Sequence, residues 1–279
     1  MLRPSEPKNS ALAAISSAVL GFGSLLWVLL AGGAFFGNTV AETAGGWLAS
    51  DGTAAAPAAP AFYIWWPLYL GLAGYFLWQL LPSNRGAQLH QQIRGWAVGS
   101  ILLNALWLQM IQWDQLGLSL VVMLLLVAVL TTLVRLISTQ VLYRATDRWV
   151  TRATFGIYYG WILMAAIANA AAWFSSLESQ SLDQALKPLT ALLILLAGLA
   201  ICALTFKNPM GIYVNAGSLW AIVWIAVARF SGALPSASVA VCAAVAATLM
   251  LICLATSLRH RVGSLLQEML RRAKGAAGS

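Results

Sequence analysis

Long apolar runs, separated by short polar or glycine- and proline-rich breaks, recur eight times along the chain, at about 11–36, 62–81, 95–113, 116–137, 153–175, 186–206, 212–230 and 235–257. Each approaches the roughly 20 residues an α-helix needs to cross a hydrocarbon core. Backbone groups in lipid are satisfied only in helices or closed barrels, and the alternation of a barrel strand is absent. The pattern therefore predicts an all-α polytopic membrane bundle of eight transmembrane helices, without a clear internal repeat. The first run follows Arg3 and Lys8 and ends in the small residues Ala31-Gly32-Gly33-Ala34. It is longer than the core of a secretory signal, about 7 to 15 residues, and reads as a retained helix.

Composition agrees with this reading. Hydrophobic residues make up 61% and charged residues 9% of the chain, with a mean hydropathy of +0.80, against about 25% charged in soluble domains. Cys202, Cys242 and Cys253 all fall in late apolar runs without metal-ligand spacing, so they read as small buried side chains rather than a disulfide framework.

Charge placement then gives an orientation. With the N-terminus inside, the inner segments collect Arg3, Lys8, Arg85, Arg94, Arg135, Arg144, Arg148, Arg152, Lys207, Arg259, Arg261, Arg271, Arg272 and Lys274. Only Lys187 and Arg229 fall outside, among Glu42, Asp51, Asp114, Glu178 and Asp183. The excess of basic residues on one side predicts a multi-pass protein of the cell membrane with both termini cytoplasmic. It also accounts for the net charge of +8 without nucleic acid. In the tail from Leu258 to Lys274, Leu258, Val262, Leu265, Leu266, Met269 and Leu270 recur at helical spacing among basic residues. The expectation is an interfacial helix on the inner leaflet; a solvated basic tail is the plainer alternative.

The division expected along the chain is 1–175, 176–258 for three further helices, and 259–279 for the tail, with the polar segment from Ser176 to Ala185 as the boundary. The segment from Gly37 to Pro60, rich in Gly, Ala, Thr and Pro, is either a lid over the outer mouth or a slack connector. Gly95 with Gly99, and Gly156 with Gly160, are spaced four apart and allow close helix approach, including a homodimer.

The runs hold almost no ionisable group. Arg135 and Arg229 lie within snorkelling reach of an interface, which argues against ion pumping. No mid-span Lys, His or paired nucleophile and base is available for a Schiff base, haem ligation, metal binding or hydrolysis, so neither catalysis nor a resident cofactor is expected. What recurs instead is aromatic rings and amides: Trp65, Trp66 and Tyr69; Asn104 and Trp107; Tyr158, Trp161 and Asn169, with Trp173 a turn beyond. Asn104 and Trp107 share a helix face, as do Asn169 and Trp173. An amide beside a flat ring suits a planar ligand with polar edges. The competing reading is packing, because Trp and Tyr gather at membrane interfaces and Asn links helices. That reading is preferred for Trp27, Trp47, Trp96, Trp113, Trp149, Trp220 and Trp224. Pro67, placed inside the second run, should kink it and widen a cavity beside Trp66.

At these residues the chain resembles the tryptophan-rich sensory protein family, TspO/MBR, to which the mitochondrial translocator protein belongs. The likeness rests on Pro57 and Pro60 before Phe62, Trp65 and Tyr69; on Asn104 and Trp107; and on Tyr158, Trp161 and Asn169. Leu81-Pro82 and Tyr158-Tyr159-Gly160-Trp161-Ile162 are similar to a longer bacterial branch. The resemblance covers about residues 11–174 and leaves the last three helices without a counterpart in the five-helix members. Ile64, Phe155-Gly156 and Ala168 depart from the family pattern at positions expected to border the pocket. The resemblance implies a five-helix portion with a cavity beneath the first outer loop that takes porphyrins, haem or other flat hydrophobic molecules. By the same resemblance Trp65, Tyr69, Asn104, Trp107, Trp161 and Asn169 would line it.

The function expected is thus a membrane-embedded binding or sensory protein for a small planar hydrophobic ligand, without robust turnover. A small-molecule transporter is the alternative, motivated by eight crossings, the Pro67 kink and Arg229 near the outer mouth. A scaffold whose aromatics only pack helices is the third.

Overall fold

The computed structural model describes residues 10–32, 38–140, 145–177 and 179–277, with the backbone alone at 179–185, 265–266 and 268–277. Arg3, Lys8, Arg144 and Glu178, and the side chains of Leu265, Leu266, Met269, Leu270, Arg271, Arg272 and Lys274, lie outside the description. Eight long helices carry the fold: α1 (Ser10–Ala31), α2 (Trp65–Trp78), α3 (Gln88–Gln112), α4 (Leu116–Ser138), α5 (Thr154–Leu177), α6 (Ser179–Lys207), α7 (Gly211–Ser231) and α8 (Ala237–Ala277). Among the described residues there is no strand.

Six of the helical segments are long and apolar enough to cross a membrane: Ser10–Ala31, Leu116–Ser138, Ala145–Leu177, Leu186–Lys207, Gly211–Ser231 and Ala237–Ser264. The other two sequence-based spans fall short for different reasons. Helix α2 has only 14 residues, because the chain enters it through a six-residue 3-10 helix, Ala59–Ile64. Helix α3 is long enough at 25 residues but carries Gln88, His90, Gln91, Gln92, Arg94, Asn104, Gln109 and Gln112. The 3-10 helix and α2 together measure about 33 Å, close to a hydrocarbon core of about 30 Å.

Breaks in the sequence place the turns. Asp114 adopts a left-handed φ of 55° between α3 and α4, a conformation a short polar side chain tolerates. The tight reversal that results makes these two helices antiparallel neighbours. Between α6 and α7 the Asn208 side chain accepts the Met210 N–H at 2.7 Å, and the Asn208 carbonyl accepts the Gly211 N–H at 2.9 Å. Pro67 sits in the first turn of α2, where a helix has no N–H bond to lose, so the expected mid-helix kink is replaced by a 3-10 to α transition. Helix α8 runs without interruption for 41 residues, about 62 Å. The tail is therefore a continuation of the last helix and not a separate one that turns onto the leaflet.

Helices α1 to α5 pack as one group and α6 to α8 as another, and the two are joined where α5 lies against α7. Glycine makes that contact possible. A Cβ on Gly160 would fall 2.1 Å from the Val214 carbonyl oxygen, and one on Gly217 would fall 2.1 Å from that of Ile157. The two backbones touch directly, and the Ser218 hydroxyl donates to the Gly160 carbonyl at 2.8 Å. The Gly156 and Gly160 face is thus consumed inside the chain and is not open to a second copy; a Cβ on Gly95 or Gly99 meets nothing within 4 Å. Buried Asn215 ties α7 to both partners, its amide donating to the Thr205 hydroxyl at 2.9 Å and to the Met250 carbonyl at 3.2 Å.

The end of the bundle that carries the start of α1 has a buried polar layer. Gln79 donates to Ser17 at 3.0 Å and accepts from Arg94 Nε at 3.0 Å, while Asp147 accepts the Trp78 indole N–H at 2.8 Å. His90 is buried with Nε2 3.7 Å from Asp147. Burial holds its pKa below the usual 6.5, with Asp147 opposing and Arg94 assisting.

Two outcomes follow from these contacts. Gly217→Val forces α5 and α7 apart and lowers stability by about 1–3 kcal/mol, read as a lower midpoint in a detergent thermal melt, whereas Gly95→Ala leaves the midpoint unchanged. Because folding depresses the His90 pKa, the unfolded chain binds the proton first, so this contribution is complete above about pH 6.5 and is lost as pH falls below it. The melting midpoint should drop between about pH 7 and 5, and His90→Gln should flatten that dependence.

Candidate ligand chamber

Three tryptophans from three helices meet beneath the loop. Trp65 of α2 stacks on Tyr69 with centroids 5.3 Å apart, lies 6.5 Å from Trp107 of α3, and meets Trp161 of α5 edge-on at 5.9 Å. Tyr158 abuts the same ring at 6.3 Å. Together with Phe62 and the small side chains Ala165, Ala168 and Ala221, the three indoles wall a chamber of about 30 Å³. That is room for roughly one or two waters. Beside it, between α1 and α2, a recess of about 360 Å³ opens sideways and is bordered by Val28, Tyr63, Trp66, Tyr69 and Leu108. Trp65 and Phe62 form the partition shared by the two spaces.

The eight site residues expected from the sequence therefore sort into three sets. Trp65, Trp107 and Trp161 line the chamber; Trp65, Trp66 and Tyr69 line the recess, with Trp66 60% exposed on the outside of the bundle. Asn104, Tyr158 and Asn169 border neither space and are buried. Of the three departures from the family pattern, Ala168 alone lines the chamber, whereas Gly156 sits against Tyr213 of α7.

Hydrogen bonding separates the amides. The Trp107 indole N–H donates to Asn169 Oδ1 at 2.7 Å, and Asn169 Nδ2 donates to the Ser119 hydroxyl at 3.1 Å. Asn169 is thereby spent on linking α3, α4 and α5, and Trp107 offers a ring face with no spare polar edge. The Tyr158 hydroxyl donates to the Ser100 carbonyl at 3.2 Å. Asn104 accepts from the Tyr69 hydroxyl at 3.3 Å, but among the described residues its Nδ2 has no partner, and neither does the Trp161 indole N–H. Both are buried donors, a costly condition in an apolar surrounding.

The loop folds over the chamber. Val40, Trp47, Leu48, Ala55, Ala56 and Pro57 form the roof, and Thr53 and Ala55 are fully buried. The loop is fastened from two sides: the Asp114 carboxylate accepts the Ala44 N–H at 2.8 Å, and Arg229 donates to the carbonyls of Ser50 and of Thr53, the latter at 3.0 Å. Trp220 donates to the Ala61 carbonyl at 2.8 Å, and the Trp224 carbonyl accepts the Ala58 N–H at 3.1 Å. The segment is a fastened cover and not a slack connector. Arg229, read from the sequence as a snorkelling side chain, is 1% exposed.

The chain matches a family model described as TSPO-like protein over residues 17–256. The chain belongs to the TSPO-like protein family. The match runs through α6, α7 and nearly all of the apolar part of α8, beyond the five-helix stretch that carries the motif resemblance, and so includes the α7 residues that fasten the TSPO-like loop. No curated protein and no solved structure matches the chain.

The two kinds of amide respond differently to substitution. Asn169→Leu strands the Trp107 N–H and should cost about 1–3 kcal/mol of stability, whereas Trp161→Phe removes a donor that has no partner and should leave the melting midpoint of the unliganded protein unchanged or raised.

Proposed function

We propose that this TSPO-like protein binds a planar, largely apolar ligand, such as a porphyrin or haem, whose hydrogen-bond acceptor meets the Trp161 N–H and the Asn104 amide. It acts as a binding or sensory protein without robust turnover and with no resident cofactor. The reading is carried by those two buried donors without partners, placed beside three clustered indoles. At about 30 Å³ the chamber is far smaller than the 300 Å³ or more that a ligand site occupies. The proposal therefore includes a closed form and an open form, in which the ring of Trp65 swings and the chamber merges with the lateral recess. The recess faces the lipid, so a hydrophobic ligand reaches it from the bilayer.

The same reading takes all eight helices as crossings, with both termini in the cytoplasm and the loop at the outer face. Arg229, the group on which the transport alternative relied to receive an anionic substrate, is engaged by loop carbonyls, which favours binding over transport.

Titration with protoporphyrin in nanodiscs, followed by tryptophan fluorescence, tests the proposal. Saturable one-to-one quenching is expected, with affinity about 3- to 10-fold weaker in Trp161→Phe and in Asn104→Leu, the loss of one neutral hydrogen bond each. Arg229→Ala, which releases the cover, should quicken association. Absence of saturation, or wild-type affinity in both donor variants, overturns the assignment.

A further inference from the structure

A second site lies at the opposite end of the bundle, in a groove of about 520 Å³ between α1 and α3. Its lining is partly polar: Arg94, Gln91, Ser10, Ser16 and Ser17 border it, and Leu20 and Gly95 continue it along the helices. Arg94 is only 5% exposed. Its Nε donates to Gln79 at 3.0 Å and its Nη2 to the Arg85 carbonyl at 2.5 Å. Both acceptors are neutral, and among the described residues no carboxylate lies within ion-pair distance of this guanidinium. The acidic group of the neighbouring layer, Asp147, is held by Trp78 and His90. A buried guanidinium without a counter-charge is destabilising, because neutral acceptors replace hydration but do not balance the charge.

Two further observations point outward from the protein. The Ser10 hydroxyl, on the same groove, is buried and has no partner among the described residues. A Cβ on Gly95 would meet nothing within 4 Å, so α3 leaves a trough where an ordinary side chain would stand. The groove thus pairs a cationic, serine-bordered lining with an apolar channel beside Leu20.

We propose that this groove is a binding site for one anionic phospholipid, its phosphate held by Arg94 and Ser10 and one acyl chain lying over Gly95. Arg matches phosphate through its fork of donors. Arg85, Arg148 and Arg152 belong to the connectors at this same end, where clustered basic residues concentrate anionic lipid. The bound lipid supplies the counter-charge that the described residues do not. It also covers the open face of α1 and α3.

The test uses the full chain in nanodiscs of phosphatidylcholine with and without phosphatidylglycerol, followed by native mass spectrometry and thermal melts. Wild type should retain one phosphatidylglycerol in preference to phosphatidylcholine and melt higher when it is present. Arg94→Gln should reduce retention about tenfold, the loss of a charge-assisted contact. Gly95→Leu starts from a Cβ that meets nothing within 4 Å and fills the trough from α3, so it reports on the groove even if Arg94→Gln fails to fold, and it should also release the lipid. Equal retention of the two lipids, or full retention by Gly95→Leu, overturns the proposal. So does an equal thermal shift from inorganic phosphate in detergent, which would make the ligand a soluble anion.

Discussion

The close contact between α5 and α7 is the constraint on which the architecture beneath the loop depends. Two glycines bring backbone against backbone, and Ser218 converts that proximity into a hydrogen bond to a helix carbonyl. In lipid, where apolar side chains gain nothing by leaving the solvent, small residues and directional polar contacts are what bring helices together. Once α7 is seated, Trp220, Trp224 and Arg229 stand over the mouth formed by α2, α3 and α5. The three later helices therefore complete the chamber, since one of them contributes Ala221 and Ile225 to its wall and the fastenings to its roof.

The aromatic cluster shows how similar residues divide between holding the bundle together and remaining available. Trp107 and Asn169 satisfy each other, and Ser119 completes the set, so their polar edges are turned to structure. Asn104 and Trp161 occupy comparable positions on the same helices but keep donors unspent. Burial is nearly equal across all four, and hydrogen bonding alone tells them apart.

Most of the helical skeleton was legible in the sequence because transbilayer helices announce themselves by length and by the absence of charge. The beginnings and ends of α4, α5 and α7 fall within two residues of the apolar runs, whereas α1 ends at Ala31, five residues short of its run, and α6 begins seven residues ahead of its own, inside the polar stretch expected as a boundary. Pro67 misled because its effect depends on position within a helix, and the 3-10 lead-in that moves it to the first turn has no signature in hydropathy. Trp65, Trp107 and Trp161 were legible as a group through spacing and family resemblance. Which amide was occupied was not, since that depends on distances across three helices. Arg229 was misread for a related reason: its partners are backbone carbonyls of a loop distant in sequence, which no side-chain pattern encodes. Asn215 carries no such mark because Tyr213 and Trp220 stand two and five residues from it, off the three- or four-residue spacing that pairs the other two amides with a ring.

The clasp on the loop before α2 has a particular chemical character. Arg229 grips the carbonyls of Ser50 and Thr53, Asp114 takes the amide of Ala44, and Trp220 and Trp224 likewise engage main-chain atoms. A fastening made on the main chain is strict about the length of the strap between its buckles. One residue inserted or deleted between Ala44 and Ser50, or between Thr53 and Ala58, carries the next buckle out of register with its partner.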